Sequence, residues 1–112
     1  MTTPVYKLLT LDDWAAAEAA GRTMTALDEA DGYVHLSTPA QVKETARRDF
    51  AGKGRVKLLR FDAETLGDVR WEPSRGGDLF PHLYGALRVA DASATWWLEP
   101  DAAGFPVFPE GV

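Results

Sequence analysis

The chain has 112 residues, of which 46% are hydrophobic and 26% charged, and these values are typical of one globular domain rather than of a disordered, coiled-coil or collagen-like chain. The absence of cysteine excludes thiol catalysis and cysteine-ligated zinc. The net charge of −5 disfavours binding to a nucleic-acid backbone.

A strand and a capped helix are predicted at the start of the chain. Residues 5–9 are apolar apart from Lys7, which predicts the strand. Thr10 then supplies a helix N-cap, and Gly21 ends the helix. The apolar positions of this helix that recur at helical spacing, and that we expect to face the core, are Leu11, Trp14 and Ala15.

A second strand and helix follow after residues 22–32, which show no clean period and predict no regular element. Residues 33–37 predict the strand. Thr38 is the N-cap of the helix, Gln41 completes a capping box with it, and Gly52 ends the helix.

The second half of the chain predicts strands without helices between them, at residues 56–61, 69–72, 79–87 and 94–98. Connections this short do not accommodate the helical crossovers that parallel strands need. We therefore predict an α+β fold, with two helices in the first half and two small sheets, mixed or antiparallel, in a single domain.

The second strand carries the most informative polar pattern. Alternate side chains of a strand share a face, so Val34 and Leu36 should enter the core while Tyr33, His35 and Ser37 line the opposite face. Such a row would form one wall of a cleft. The plainer alternative, which the pattern alone favours, is a half-exposed strand with ordinary polar side chains outside.

Residues 79–85 contain the other histidine, His82, with Tyr84 beside it. A histidine next to a proline is more often structural than a ligand-binding residue. Because both histidines lie in polar and aromatic surroundings, we expect His35, Ser37, His82 and Tyr84 to converge on one cleft.

Other signals of function are weak. Ser37 has no nucleophile elbow around it, and His35 and His82, 47 positions apart, have no metal-ligand spacing, so no metal site is predicted. The basic residues of 47–60 are interrupted by acids and predict a solvated face. The sequence has no apolar run of the roughly 18 residues that a membrane span needs and no recognisable signal peptide, so we expect a cytoplasmic location.

Five motifs occur in order along the chain, namely Tyr6 in the first strand, residues 32–38 followed by Gln41, and residues 58–62, 70–72 and 79–85. Together they resemble the domain of unknown function 952 family of bacterial proteins, over nearly the whole chain. This resemblance implies a fold like that of the ADP-ribosyltransferases, similar in size and motif style to the RNA 2′-phosphotransferases, which use NAD to remove a phosphate.

The resemblance also implies a cleft between two small sheets that binds NAD. Tyr6 and Lys7 in the first strand would hold the adenosine side of the ligand, although family members commonly have histidine where this chain has Lys7. His35, Ser37 and Thr38 would support the ribose on the nicotinamide side.

A catalytic glutamate on a late strand is a further implication of the resemblance, because it would bond the ribose hydroxyl as nicotinamide leaves. Glu72 is the predicted catalytic residue, and Glu99 or neither glutamate are the alternatives. His82 and Tyr84 complete the predicted ligand-binding residues.

Two functions of different classes follow from these observations. The first is an NAD- or ADP-ribose-recognising domain that transfers an ADP-ribosyl or phosphate group. The second is a non-catalytic module that keeps the cleft and binds a small nucleotide-like ligand or a protein. Action on RNA is disfavoured by the net charge of −5.

Overall fold

The computed structural model describes residues 2–23 and 25–112, so Met1 and Met24 lie outside the described residues. Its strands are β1 Pro4–Leu9, β2 Arg22–Thr23, β3 Val34–His35, β4 Val56–Asp62, β5 Val69–Pro73, β6 Leu79–Leu83, β7 Leu87–Arg88 and β8 Ala94–Leu98. Its helices are α1 Leu11–Ala20, α2 Ala26–Asp31 and α3 Pro39–Asp49. Short 3-10 turns cover Ala63–Thr65, Arg75–Gly77 and Val89–Asp91.

The described strands form three sheets in which every pairing is antiparallel. Their orders are β1-β4-β8, β3-β6-β5 and β2-β7. The two larger sheets meet where Tyr6 and Ser37 exchange backbone hydrogen bonds of 2.8 and 2.9 Å. The α+β class is confirmed, but the prediction of two sheets was wrong, because β2 and β7 are too short to show an alternating pattern.

The alternation along β1 places side chains on both faces of the largest sheet. Val5 and Leu9 pack into one apolar cluster, and Tyr6 and Leu8 pack into another on the opposite face. By the same alternation Lys7 lies on the face of Val5 and Leu9, and it is buried. A charged side chain therefore occupies a core position of the first strand.

Helix α1 packs through different residues from those predicted. Trp14 and Ala17 contact the core, whereas Leu11 is 47% exposed and Ala15 is also exposed. The prediction of Leu11 and Ala15 as core residues was wrong. Alanines occur on several sides of this helix, so its sequence defines no sharp apolar face.

Helix α3 begins at the predicted cap, but it ends at Asp49 rather than at Gly52. The Gln41 backbone N–H donates to Thr38 Oγ1 at 3.2 Å, and the Thr38 backbone N–H donates to Gln41 Oε1 at 3.1 Å, which completes the capping box. Val42 and Ala46 are fully buried against the sheet. This cap fixes the start of α3 shortly after the strand that carries His35.

Helix α2 is a third helix that the prediction missed. Its N-cap is Thr25 and its C-cap is Gly32, which has a φ of 82°. Leu27 is 60% exposed, whereas Asp28 is the residue of α2 that is buried. Because the buried position is charged, hydrophobic periodicity does not reveal this helix.

We predict that Phe61→Ala lowers the free energy of unfolding by about 3–5 kcal/mol, because Phe61 is fully buried. Trp14 is partly exposed, so Trp14→Ala should lower it by less. Urea denaturation followed by circular dichroism measures both changes. Equal losses for the two variants would contradict the packing of α1 described above.

Candidate functional site

A cavity of about 590 Å³ lies where β1, α2, β3, α3 and β6 meet. Small-molecule sites usually have volumes of roughly 300–1,000 Å³, so this cavity is large enough for a ligand. Five of the eight predicted site residues line it, namely Tyr6, Lys7, His35, Ser37 and His82. We therefore take this cavity as the candidate functional site.

The other three predicted residues lie beside the cavity. Thr38 caps α3 and lines a neighbouring groove of about 530 Å³. Glu72 hydrogen-bonds to both His82 and Tyr84. Glu72 and Tyr84 are thus linked to the cavity through His82.

Lys7 forms a buried ion pair with Asp28. Its Nζ donates to Asp28 Oδ2 at 2.7 Å and to the His35 carbonyl oxygen at 3.0 Å, and the side chains of Lys7 and Asp28 are 6% and 5% exposed. A buried ammonium without such partners would be very costly. Two of the three N–H donors of Lys7 are therefore used within the protein.

His35 lies between two carboxylates of α2. Its Nδ1 is 2.6 Å from Asp28 Oδ1, and its Nε2 is 2.9 Å from Asp31 Oδ2. A carboxylate only accepts hydrogen bonds, so both ring nitrogens must donate, which is the geometry of an imidazolium. His35 consequently has no free ring nitrogen for a ligand.

The Asp28 carboxylate is held in its ionised form by these neighbours. Burial alone would raise the pKa of Asp28, but the hydrogen bond from the His35 ring and the charge of the Lys7 ammonium outweigh that effect. The pKa of Asp28 is lowered to about 2. Asp28 thus stays charged although it is buried.

Four aromatic rings form one cluster at the edge of the cavity. Tyr33 stacks on His82 at a centroid distance of 4.1 Å and lies 4.7 Å from His35 and 5.3 Å from Tyr84. His35 and His82 are paired residues of β3 and β6, and their rings are 5.6 Å apart. The structure therefore brings His35, His82 and Tyr84 together, while Ser37 lies on another part of the wall.

Glu72 connects His82 to Tyr84. Its Oε1 lies 2.9 Å from His82 Nδ1 and accepts a 2.7 Å hydrogen bond from the Tyr84 hydroxyl. The bonds from Tyr84 and His82 lower the pKa of the Glu72 carboxyl. An ionised Glu72 thus fixes the orientation of the buried His82 ring.

Glu99, the alternative to Glu72, lies in a different environment. It follows β8 in the other three-stranded sheet and forms a 2.8 Å ion pair with Arg55. Both of these side chains are largely exposed. The geometry therefore links Glu72, and not Glu99, to the histidine cluster.

Ser37 joins the sheet to α3 on the remaining wall. Its hydroxyl is 3.2 Å from the hydroxyl of Thr45, which also donates to the Gln41 carbonyl oxygen at 3.1 Å. Arg75 donates to Thr45 Oγ1 at 3.2 Å. This wall therefore ends in a cationic side chain.

Three cations in the cavity wall were missed by the sequence analysis, namely Arg48, Lys53 and Arg75. In the described parts of the chain, none of them has a carboxylate within 4.0 Å. Arg48 and Lys53 belong to the basic run interpreted as a solvated face, and Arg75 follows them only after 22 further positions. Thr45 and Arg48 are three positions apart and therefore lie on one side of α3, and this spacing was the signal from which Arg48 could have been predicted.

No group of three or more histidine and carboxylate side chains forms a metal-binding cluster within residues 2–23 and 25–112. The helices in this same part of the chain are too short and too polar to cross a membrane.

Comparison with known proteins gives a family and a solved relative. The model of the family described as "Protein of unknown function (DUF952)" matches residues 8–95. The crystal structure of protein CC0527 from Caulobacter crescentus is 46% identical, with a TM-score of 0.87 and coverage of 94% of each chain. The solution NMR structure of CC0527 is 46% identical and has a TM-score of 0.79, covering 92% of this chain and 90% of that one. No curated protein matches.

We predict that Asp28→Asn lowers the free energy of unfolding at neutral pH by about 2 kcal/mol. Lowering the pKa of Asp28 from 3.8 to about 2 on folding corresponds to a stabilisation of about that size. A lowered pKa stabilises the fold above the unfolded value, and this contribution disappears as the pH falls from about 5 towards 2. The difference between wild type and variant should therefore shrink over that range in urea denaturation. A difference independent of pH would contradict the ionised state of Asp28.

We predict that Lys7→Met lowers the free energy of unfolding by about 3 kcal/mol, because it leaves the buried Asp28 carboxylate without its ammonium partner. Lys53→Met is the control: Lys53 lines the same cavity but is exposed, so its effect should stay within about 0.5 kcal/mol. Thermal and urea unfolding measure both. Similar stability of the two variants would show that the Lys7 pair contributes nothing.

Proposed function

The chain belongs to the DUF952 family, and we propose that it binds a small phosphate-bearing nucleotide of the NAD or ADP-ribose class in the cavity. The observation that carries this proposal is the set of three unpaired cations in the wall, Arg48, Lys53 and Arg75. Guanidinium groups suit phosphate because their planar N–H donors match its oxygens, and an ammonium binds phosphate as a point charge.

The charge of the cavity is opposite to that of the chain. Four lysine and arginine side chains line it against three aspartates, Asp13, Asp28 and Asp49, although the whole chain has a net charge of −5. Asp28 is already neutralised by Lys7 and His35. The remaining charge favours an anionic ligand at this place on the surface.

The shape of the site also suits a nucleotide. The half-buried Phe50 gives the wall aromatic surface on which a base or sugar can pack, whereas Tyr6 and Phe80 are buried. The neighbouring groove shares Arg48, Arg75 and Phe80 with the cavity, so the two form one extended site around these residues. An elongated ligand with a central phosphate group matches this arrangement.

Recognition without group transfer is the form of this function that the contacts favour. Lys7 is bonded to Asp28 and the His35 carbonyl. Glu72 faces His82 and Tyr84 rather than the cavity. The ADP-ribosyltransferase-like fold and a transfer step that uses Glu72 form the second candidate, which rests on the resemblance of the motifs.

We predict that isothermal titration calorimetry detects binding of ADP-ribose and NAD, and that Arg75→Gln and Arg48→Gln each weaken it about tenfold, because each removes a charged donor to phosphate. Arg47→Gln is the matched control. Arg47 is adjacent on α3 but lies over the Phe105 ring at 4.3 Å, away from the cavity, so binding should be unchanged.

The binding experiment has two further arms. Uncharged nicotinamide should bind far more weakly than ADP-ribose, and added salt should weaken ADP-ribose binding. No binding of ADP-ribose or NAD at millimolar concentration, or an equal loss in Arg47→Gln, would refute the proposal. Release of nicotinamide from NAD that disappears in Glu72→Gln would instead favour the transferase.

A further inference from the structure

His82 is a buried imidazole in the wall of the cavity. Its side chain is 3% exposed, and its ring is stacked against Tyr33. Nδ1 is 2.9 Å from Glu72 Oε1, while Nε2 has no hydrogen-bond partner among the described residues. Among the described residues, Thr23 Oγ1 is the buried side-chain polar atom without a partner, so Nε2 of His82 is accessible and can bond a molecule in the cavity.

The partners of Glu72 determine which nitrogen of His82 carries the proton. A carboxylate accepts and does not donate, so the contact with Glu72 places the hydrogen on Nδ1. The Tyr84 hydroxyl donates to the same carboxylate oxygen and holds it in place. In the neutral ring Nε2 is then a hydrogen-bond acceptor.

His82 Nε2 is an acceptor beside the cations of this cavity, whose charged acceptors are the carboxylates of Asp13, Asp28 and Asp49. Lys7, Arg48, Lys53 and Arg75 are donors only. The carboxylate of Asp28 is already bonded to Lys7 and His35. A ligand that satisfies the wall must therefore present acceptors to the cations and a donor to His82.

We propose that His82 Nε2 accepts a hydrogen bond from a sugar hydroxyl of the bound ligand, so that the site selects sugar phosphates over phosphates that lack hydroxyl groups. Glu72 and Tyr84 are positioning residues that hold the required tautomer. This inference rests on the proposed function, because the cations must first hold the phosphate of the same ligand.

Three probes test the inference by calorimetry: ribose 5-phosphate, tetrahydrofurfuryl phosphate, which keeps the ring and the phosphate but has no hydroxyl, and inorganic phosphate. The wild-type protein should bind ribose 5-phosphate about tenfold more tightly than tetrahydrofurfuryl phosphate, as the loss of one hydrogen bond predicts.

His82→Asn is the matching variant, because its amide can still donate to Glu72 from near the position of Nδ1 but has no atom at Nε2. It should bind the two organic phosphates with equal affinity and keep the wild-type affinity for tetrahydrofurfuryl phosphate. Melting curves show whether the variant is folded, and retained phosphate binding shows that the cationic wall is intact.

NMR of the imidazole nitrogens tests the tautomer without any ligand. His82 should carry its proton on Nδ1 in the wild type, and Glu72→Ala should give a mixture of tautomers together with weaker discrimination between the organic phosphates. A merely structural Glu72 would leave the nitrogen shifts of His82 unchanged.

The outcomes separate the inference from the proposed function. Equal binding of both organic phosphates by the wild type overturns the inference and leaves the proposed function standing. A proton on Nε2 in the free protein overturns the inference whatever binds. Failure of all three phosphates and of ADP-ribose to bind overturns both.

Discussion

The buried pair of Lys7 and Asp28 is the interaction on which the cavity depends. Of the residues of α2, Asp28 is the buried one, and it bonds Lys7 of β1 and His35 of β3. Charged contacts therefore hold this short helix in place, a role that apolar packing usually has. Because a buried ion pair gains little net stability over apolar groups of similar size, its effect here is on position: it sets one wall of the cavity.

Elements with local signals could be predicted from the sequence. The cap at Thr38 and the alternation that buries Val34 and Leu36 need only neighbours within a few residues, and the structure has both. Helix α2 was missed because its buried residue is Asp28. This carboxylate can be buried because it pairs with Lys7, which is 21 positions away in the sequence. The pattern from Thr25 to Asp28, followed by Gly32, was a usable signal for this helix.

The site was predicted in part for the same reason. His35 and His82 could be singled out because each lies in a recognisable strand, and the register of β3 with β6 places them opposite one another. The choice between Glu72 and Glu99 needed the order of strands within the sheets, which short connections do not determine. Likewise, the spacing of residues along the sequence did not indicate that Arg75 lies beside α3.

The two ends of the cavity are connected through the contacts between the sheets and α3. The cations lie on α3 and on the segments that follow α3 and β5, while His82 lies on β6. Ser37, which continues the strand of His35, contacts Thr45, and Thr45 accepts a bond from Arg75. The Gln41 side chain, which donates to the Leu79 carbonyl oxygen at 2.8 Å, and the buried Val42 and Ala46 hold α3 to the sheets as well. The distance between the cations and His82, and hence the spacing of phosphate and hydroxyl groups that the site accepts, therefore depends on how α3 packs on the sheets.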